Sequence, residues 1–237
     1  MKDQMKKNSI LKSIIIGTPE IEIFIRESVR SRKISLKLSR FDNKVYLTVP
    51  NGGLIGQAEK FAREKEIWVR KQLNSLPSAI RIKPGVFIPI DGVPRRVSIA
   101  EMKCVSLSDT DLVIPFNDNK SEVRVKVFLI ELARQRFVEL SEVYSLKIGR
   151  NFKSITLRDP KSRWGSCSVE GNLMYSWRLI FAPKEVLKYL VVHEICHLEE
   201  MNHSKRIWNR VESLMPDFRS SREWLKANGP ELHRYLI

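Results

Sequence analysis

Cysteine is scarce in this chain of 237 residues. The three cysteines, Cys104, Cys167 and Cys196, are an odd number at wide spacing, and no two of them form a C-x-x-C pair. This pattern excludes the disulfide framework of a small secreted domain and the usual four-cysteine zinc site. We therefore expect reduced thiols inside a cell.

Long apolar runs are also missing. No stretch approaches the ~20 apolar residues that a membrane-spanning helix needs. Residues 1–17 superficially resemble a signal peptide, but Lys12 interrupts the apolar stretch and no A-x-A-like cleavage site follows. We expect a cytoplasmic protein without a membrane partner, and its hydrophobic content of 43% argues against disorder.

Acidic residues are fewer than basic ones, which leaves a net charge of +15. The excess is spread over the chain, with +9 in residues 1–120 and +6 in residues 121–237. A diffuse basic surface is typical of solubility or of a weak attraction to polyanions rather than of a specific binding face. Weak nucleic-acid contact stays open, and the sequence does not indicate an oligomeric state.

Histidine is the most informative scarce residue, because three of the four lie close together. His193 and His197 are four positions apart, so on a helix both imidazoles face the same side. With Glu194 they form an H-E-x-x-H motif, in which the histidines hold Zn²⁺ and the glutamate takes a proton from the metal-bound water. The ligand set favours zinc, although Mn²⁺, Co²⁺ or Ni²⁺ would also be compatible with it.

The residues around the motif predict a buried helix. Pro183 suits the first helical position, Glu185 suits the first turn, and neither glycine nor proline occurs in residues 184–201. Apolar residues occupy more than one face of this segment. Because buried histidines and a buried carboxylate need polar partners, a metal ion would satisfy them.

A zinc site of this kind needs a third protein ligand. His203 is separated from His197 by five residues, and Asn202 and Ser204 would allow the chain to turn and begin a new helix there. Glu212 is the alternative third ligand.

Hydrophobic periodicity predicts an α+β fold. The first part of the chain is β-rich, with a helix at 57–76 and a hairpin around Asp91-Gly92. A candidate domain boundary follows near residue 118. A long helix at about 121–144 and strands at 153–158 and 172–180 then precede the motif helix. We thus expect either two domains, 1–118 and 119–237, or one continuous domain.

Several segments together resemble the YgjP-like metallopeptidase family, which is related to the SprT-like and WLM zinc proteases. The segments are R-W-G-S-C-S at 163–168, W-R-L-I-F-A-P at 177–183, H-E-I-C-H-L at 193–198, N-H-S at 202–204 and P-D-F at 216–218. The resemblance implies a zincin-like metallopeptidase core that acts on a peptide or protein substrate. It also implies zinc ligation by His193, His197 and His203, with Glu194 as catalytic base.

Other roles are less specific. Arg163, Tyr175 and Arg178 are candidates for contacts with the substrate or the transition state, and the strand at 172–180 is a candidate edge for an extended peptide. Two alternatives to a zinc peptidase stay open. One is a DNA-associated basic protein with a non-catalytic or DNA-linked protease role, and the other is a metal site that serves structure alone.

Overall fold

The computed structural model describes residues 10–39, 44–52, 55–74, 78–116 and 121–237. The fold is mixed α+β, as predicted, and it divides into two compact units, Met1–Ser78 and Ala79–Ile237. This division lies well before residue 118, and residues 117–120 themselves lie outside the described residues. The difference has a physical cause, since apolar residues of the strands between residues 80 and 115 share a core with the C-terminal helices.

The first unit is a four-stranded sheet with two helices. Its strands run in the order β1-β2-β4-β3, with β2 and β4 parallel and the other neighbours antiparallel. The predicted helix at 57–76 is two helices that meet at Lys65, while residues 75 and 76 at its predicted end lie outside the described residues. The elements are β1 (Ile10–Ile16), β2 (Ile21–Ser28), β3 (Ser35–Ser39), β4 (Lys44–Pro50), α1 (Ile55–Glu64) and α2 (Glu66–Asn74).

The second unit begins with a second four-stranded sheet. Asp91 and Gly92 both have positive φ, 55° and 77°, so the predicted hairpin turn is present. The Asp91 N–H donates to the carbonyl of Ile180, and the Asp91 carboxylate pairs with Arg136. The strands of this sheet are β6 (Phe87–Ile90), β7 (Val93–Ala100), β8 (Ser106–Leu107) and β9 (Asp111–Pro115), in the order β6-β7-β9-β8. The short strand β5 (Ile80–Arg81) precedes them and belongs to a separate two-stranded sheet.

The rest of this unit contains the motif helix and its supports. The predicted strand at 172–180 ends at Ser176, because Trp177–Phe181 forms a 3-10 helix in which consecutive residues 179–181 are all buried. In a strand with one buried and one exposed face, at least one of these three consecutive residues would have been exposed. The elements are α3 (Ser121–Ile148), β10 (Ser154–Arg158), β11 (Gly165–Cys167), β12 (Asn172–Ser176), α4 (Lys184–Cys196), α5 (Lys205–Leu214), α6 (Phe218–Asn228), a 3-10 helix (Gly229–Arg234) and β13 (Tyr235–Leu236).

Helix α4 lies in the centre of this unit. It contacts α3, α5, α6 and β11, and its side chains from Val186 to Cys196 are buried except for Lys188. A helix that is apolar on several faces must be enclosed in this way, since each exposed face would leave apolar area in water. No helix within the described ranges has the length and apolar character needed to cross a membrane.

Candidate metal centre

Helix α4 presents two of the three histidines. His193 and Glu194 lie in its last turn, and His197 follows directly as its C-cap residue with helical backbone angles. The three side chains are 8%, 5% and 7% exposed. The i, i+4 spacing therefore brings both imidazoles to one side of a helix that neighbouring elements hold in place.

His203 reaches the same place from the loop between α4 and α5. The Asn202 Oδ1 accepts a hydrogen bond from the Ser204 N–H at 2.9 Å, and the Ser204 hydroxyl caps α5 by accepting from the Arg206 N–H. The Ser204 cap confirms the new helix that the sequence predicted after His203. His203 is exposed, in contrast to the two helical histidines.

The three histidines form a compact group whose ligand nitrogens all lie within 4.8 Å of one another. The Nε2 atoms of His193 and His203 are 3.1 Å apart. Two nitrogens bound at ~2.05 Å to a tetrahedral ion would be roughly 3.3 Å apart, so this spacing fits zinc. The carboxylate of Glu212, the alternative ligand, instead accepts a hydrogen bond from Arg219 at 2.6 Å.

A backbone contact favours one orientation for His197, and aromatic contacts surround the other two rings. The Nδ1 of His197 lies 2.9 Å from the carbonyl oxygen of Glu200, which can only accept, so Nδ1 carries the proton and Nε2 is left with a lone pair for a metal. Trp208 packs against both His193 and His203, with ring centroids 5.3 and 5.9 Å apart. The guanidinium carbon of Arg222 lies over the Trp208 ring, 4.3 Å from its centroid.

Burial keeps the helical histidines neutral. It is the main cause that lowers the pKa of His193 to about 3, and the charges of His197, His203 and Arg222 contribute to the same lowering. Burial is also the main cause of the lowered pKa of His197. Neutral imidazoles are the form that binds a metal ion, so these two side chains are ready for ligation at neutral pH.

Glu194 occupies a tight position beneath β11. A Cβ atom on Gly165 would lie 2.6 Å from the Glu194 Oε1 and 2.8 Å from its Cγ, so only glycine leaves room for the carboxylate. Burial raises the pKa of Glu194 to about 8, and the positive charge of Arg163 opposes that rise. The sequence analysis did not predict this contact, although the glycine inside the R-W-G-S-C-S motif was a signal for close approach.

A cavity of about 310 Å³ contains these groups. Its wall also includes three residues that sequence reasoning did not single out for the site, namely Ser166, Cys167 and Met201. Burial raises the pKa of the Cys167 thiol to about 11, so this side chain is protonated at neutral pH. We refer to this space as the histidine cavity.

The three less specific candidates lie in different surroundings. Arg163 is exposed and close enough to Glu194 to influence its charge. Tyr175 is fully buried, stacks on Phe137 at 4.3 Å and shares a hydrogen bond with Ser141. Neither Tyr175 nor Arg178 lines the histidine cavity.

Arg178 instead forms hydrogen bonds that connect Asp159 with the C-terminal segment. Its guanidinium donates to both carboxylate oxygens of Asp159, at 2.6 and 2.9 Å. It also donates to the carbonyl oxygens of Leu232 and Tyr235. These bonds use the donors that a substrate would need, so the structure gives Arg178 a scaffold position.

The edge of the three-stranded sheet differs from the one suggested by the sequence. The strand order is β10-β12-β11, so β12 lies in the middle and cannot accept a further strand. The edge beside the histidine cavity is β11, whose outer side has no strand partner among the described residues. A three-residue strand is too short to be recognised by alternation in sequence.

This chain is similar to known metallopeptidases. A solved structure, the metallopeptidase zymogen abylysin of Pyrococcus abyssi, is similar at 22% sequence identity over 43% of this chain and 99% of that chain, with a TM-score of 0.36. A search of curated proteins found no match. The model of the family described as YgjP-like, metallopeptidase domain, matches residues 32–228, which is most of the chain. The chain therefore belongs to the YgjP-like metallopeptidase family.

Proposed function

We propose that this protein is a zinc-dependent peptidase with a zincin-like core, in which His193, His197 and His203 hold the metal and Glu194 is the general base. The observation that carries the proposal is the convergence of three imidazoles in one cavity that also contains the Glu194 carboxylate. Membership of a metallopeptidase family supports the reaction class.

The donor set suits zinc. Three imidazoles with one side open to a cavity match a catalytic zinc site, which keeps one position for water or substrate. Bound Zn²⁺ would supply Lewis acidity towards a peptide carbonyl and lower the pKa of its water towards ~7. A purely structural site would have no use for the buried carboxylate of Glu194.

Glu194 has the position and environment of a general base. Its pKa of about 8 belongs to the metal-free chain, and a nearby cation lowers a carboxyl pKa by favouring the charged form. With metal present, Glu194 is thus ionised near neutral pH and accepts a proton from water. It then gives that proton to the leaving amine.

Strand β11 has an open edge along which an extended substrate can pair. Hydrogen bonds from the Ser176 N–H to the Trp164 carbonyl and from the Ser168 N–H to the Asn172 carbonyl identify the bonded pairs of the antiparallel ladder. Because these pairs alternate, the backbone groups of Gly165 and Cys167 point to the open edge. An extended peptide can pair there and cross the histidine cavity.

The proposal is tested by metal content and hydrolysis together. We expect about one zinc ion per chain by plasma mass spectrometry in protein purified without added metal. Glu194→Gln should keep the zinc and lose about 10²–10⁴-fold in kcat on a peptide substrate. Glu212→Gln is the matched control, with zinc and activity as in the wild type.

Two results would contradict the proposal. Wild-type hydrolysis by Glu194→Gln would remove the general base from the mechanism. Loss of zinc in Glu212→Gln, with zinc retained in His203→Ala, would reassign the third ligand.

A further inference from the structure

A second cavity lies on the other side of β11. It has a volume of about 580 Å³ and shares Ser166 and Cys167 with the wall of the histidine cavity. We call it the outer-face pocket, and its wall includes Arg158 and Arg163. The edge strand thus separates two cavities.

The register of the sheet shows which face each cavity uses. Thr156, Met174 and Ser166 are paired across β10, β12 and β11 and form one row that lines the outer-face pocket. Their neighbours Gly165 and Cys167 pair with Tyr175 and Leu173, whose side chains are buried in the core. Gly165 faces Glu194, so the core side of the sheet is the side of the histidine cavity.

A peptide strand paired with the open edge of β11 would extend the rows of side chains on both faces of the sheet. Successive side chains of a strand point to opposite faces, so every second substrate side chain would point to the histidine cavity. The side chains between them would point to the outer-face pocket. Thr156, Met174 and Ser166 form a row across the sheet, and the substrate residue that extends this row would enter the outer-face pocket.

The outer-face pocket has a positive charge that its own wall does not neutralise. Arg158 and Arg163 are its charged lining residues, and the remaining wall consists of hydroxyl, amide, thiol and apolar side chains. Asp159 lies between them in sequence, but its carboxylate is engaged by Arg178. Neither Arg158 nor Arg163 forms an ion pair within 4 Å in the part of the chain that the structure describes.

We infer that the outer-face pocket is a specificity subsite for an acidic side chain of a peptide bound along β11. The inference rests on the proposed function, since it needs a peptide on that edge. A carboxylate there would gain hydrogen bonds and charge pairing from guanidinium groups that have no ion-pair partner among the described residues. A basic side chain in the same position would meet like charge, so the pocket also selects against lysine and arginine.

Binding to an inactive variant tests the inference without relying on hydrolysis. Zinc-loaded Glu194→Gln protein is titrated into fluorescein-labelled ten-residue peptides of alanine and serine, in which one aspartate is moved through each position. We expect aspartate to tighten binding by about tenfold at positions of one parity and to have little effect at the others, as the alternation of a bound strand requires.

Substitution of Arg158 links the effect to the pocket. Arg158 is preferred to Arg163 because the charge of Arg163 also acts on Glu194. In the same background, Arg158→Gln should remove most of the gain from aspartate, and Arg158→Glu should make lysine the preferred residue at that position. Arg150→Gln, which removes an exposed arginine two residues after the end of α3, is the matched control and should keep the gain.

The outcomes separate the two proposals. Equal affinity for aspartate, serine and lysine at every position, or a full aspartate gain in Arg158→Gln, would overturn the inference even if the wild type cleaves peptides. Aspartate-selective binding without any cleavage by the zinc-loaded wild type would support the subsite and overturn the proposed function.

Discussion

The two parts of the histidine cluster differ in how the protein holds them. His193 and His197 are buried at the end of α4, which packs against three helices and a strand. His203 is exposed, and the loop that carries it depends on the cap of α5 and on contact with Trp208. Two of the histidines thus belong to the core, while the third lies on a surface loop. Each prediction below tests this difference, from the largest expected effect to the smallest.

The largest effect should come from the ligands themselves. With ~10–16 kcal/mol of zinc binding shared among the ligands, we expect His197→Ala to weaken zinc binding by about 10³-fold or more. His203→Ala should weaken it less, by about 10²-fold, because water can replace an exposed ligand more easily than a buried one. Competition with a chelating dye measures both affinities. Equal losses would show that burial does not distinguish the two parts.

Gly165→Ala should impair hydrolysis without removing the metal. The new Cβ would lie 2.6 Å from the Glu194 Oε1, so the carboxylate must move away from its position in the cavity. We expect kcat to fall by about 10²-fold, comparable with the loss of a positioned base, with zinc content unchanged. Gly56→Ala in α1 is the control, since an added Cβ there meets no atom within 4 Å. Normal kcat in Gly165→Ala would show that Glu194 needs no such support.

The contribution of His193 to the stability of the metal-free protein should be lost as the pH is lowered from about 6.5 towards 3, while the raised pKa of Glu194 acts in the opposite sense above about pH 4.5. The pKa of His193 is about 3 in the folded protein, below its ordinary value of 6.5, so the unfolded chain binds a proton that the folded chain excludes. The sign follows: this contribution is complete above pH 6.5 and is lost as the pH falls. Urea unfolding of the wild type and of His193→Gln at several pH values measures this contribution as the difference between their free energies of unfolding. We expect that difference to fall by an amount on the order of a few kcal/mol. In His193→Gln the part due to this residue should be absent.

The smallest effect is expected at Trp208. This side chain packs on both His193 and His203 and is itself stacked on Phe218. Trp208→Phe keeps an aromatic ring but reduces the contact, so we expect zinc affinity to fall by about tenfold, within the range for residues that orient ligands. Trp224→Phe, a substitution on α6, controls for the general loss of a tryptophan. An unchanged affinity would mean that the cap of α5 positions His203 without help from Trp208.

The amino-acid sequence by itself determined much of the fold and of the candidate site. Local signals were sufficient for the buried motif helix, the Asp91-Gly92 hairpin and the serine cap after His203, because each depends on residues close in sequence. The family was likewise recognisable from short motifs, and the family match confirms it. The roles of the three histidines and Glu194 stay predictions.

Tertiary structure alone decided how distant segments meet. No local pattern shows that Gly165 lies against Glu194, that β11 rather than β12 is the edge, or that Arg178 binds Asp159. The domain division at residue 78 also follows from which strands share a core with α3 and α4. These features arise from pairing and burial between segments far apart in the chain, and hydrophobic periodicity describes only the face that an element buries, not its partner.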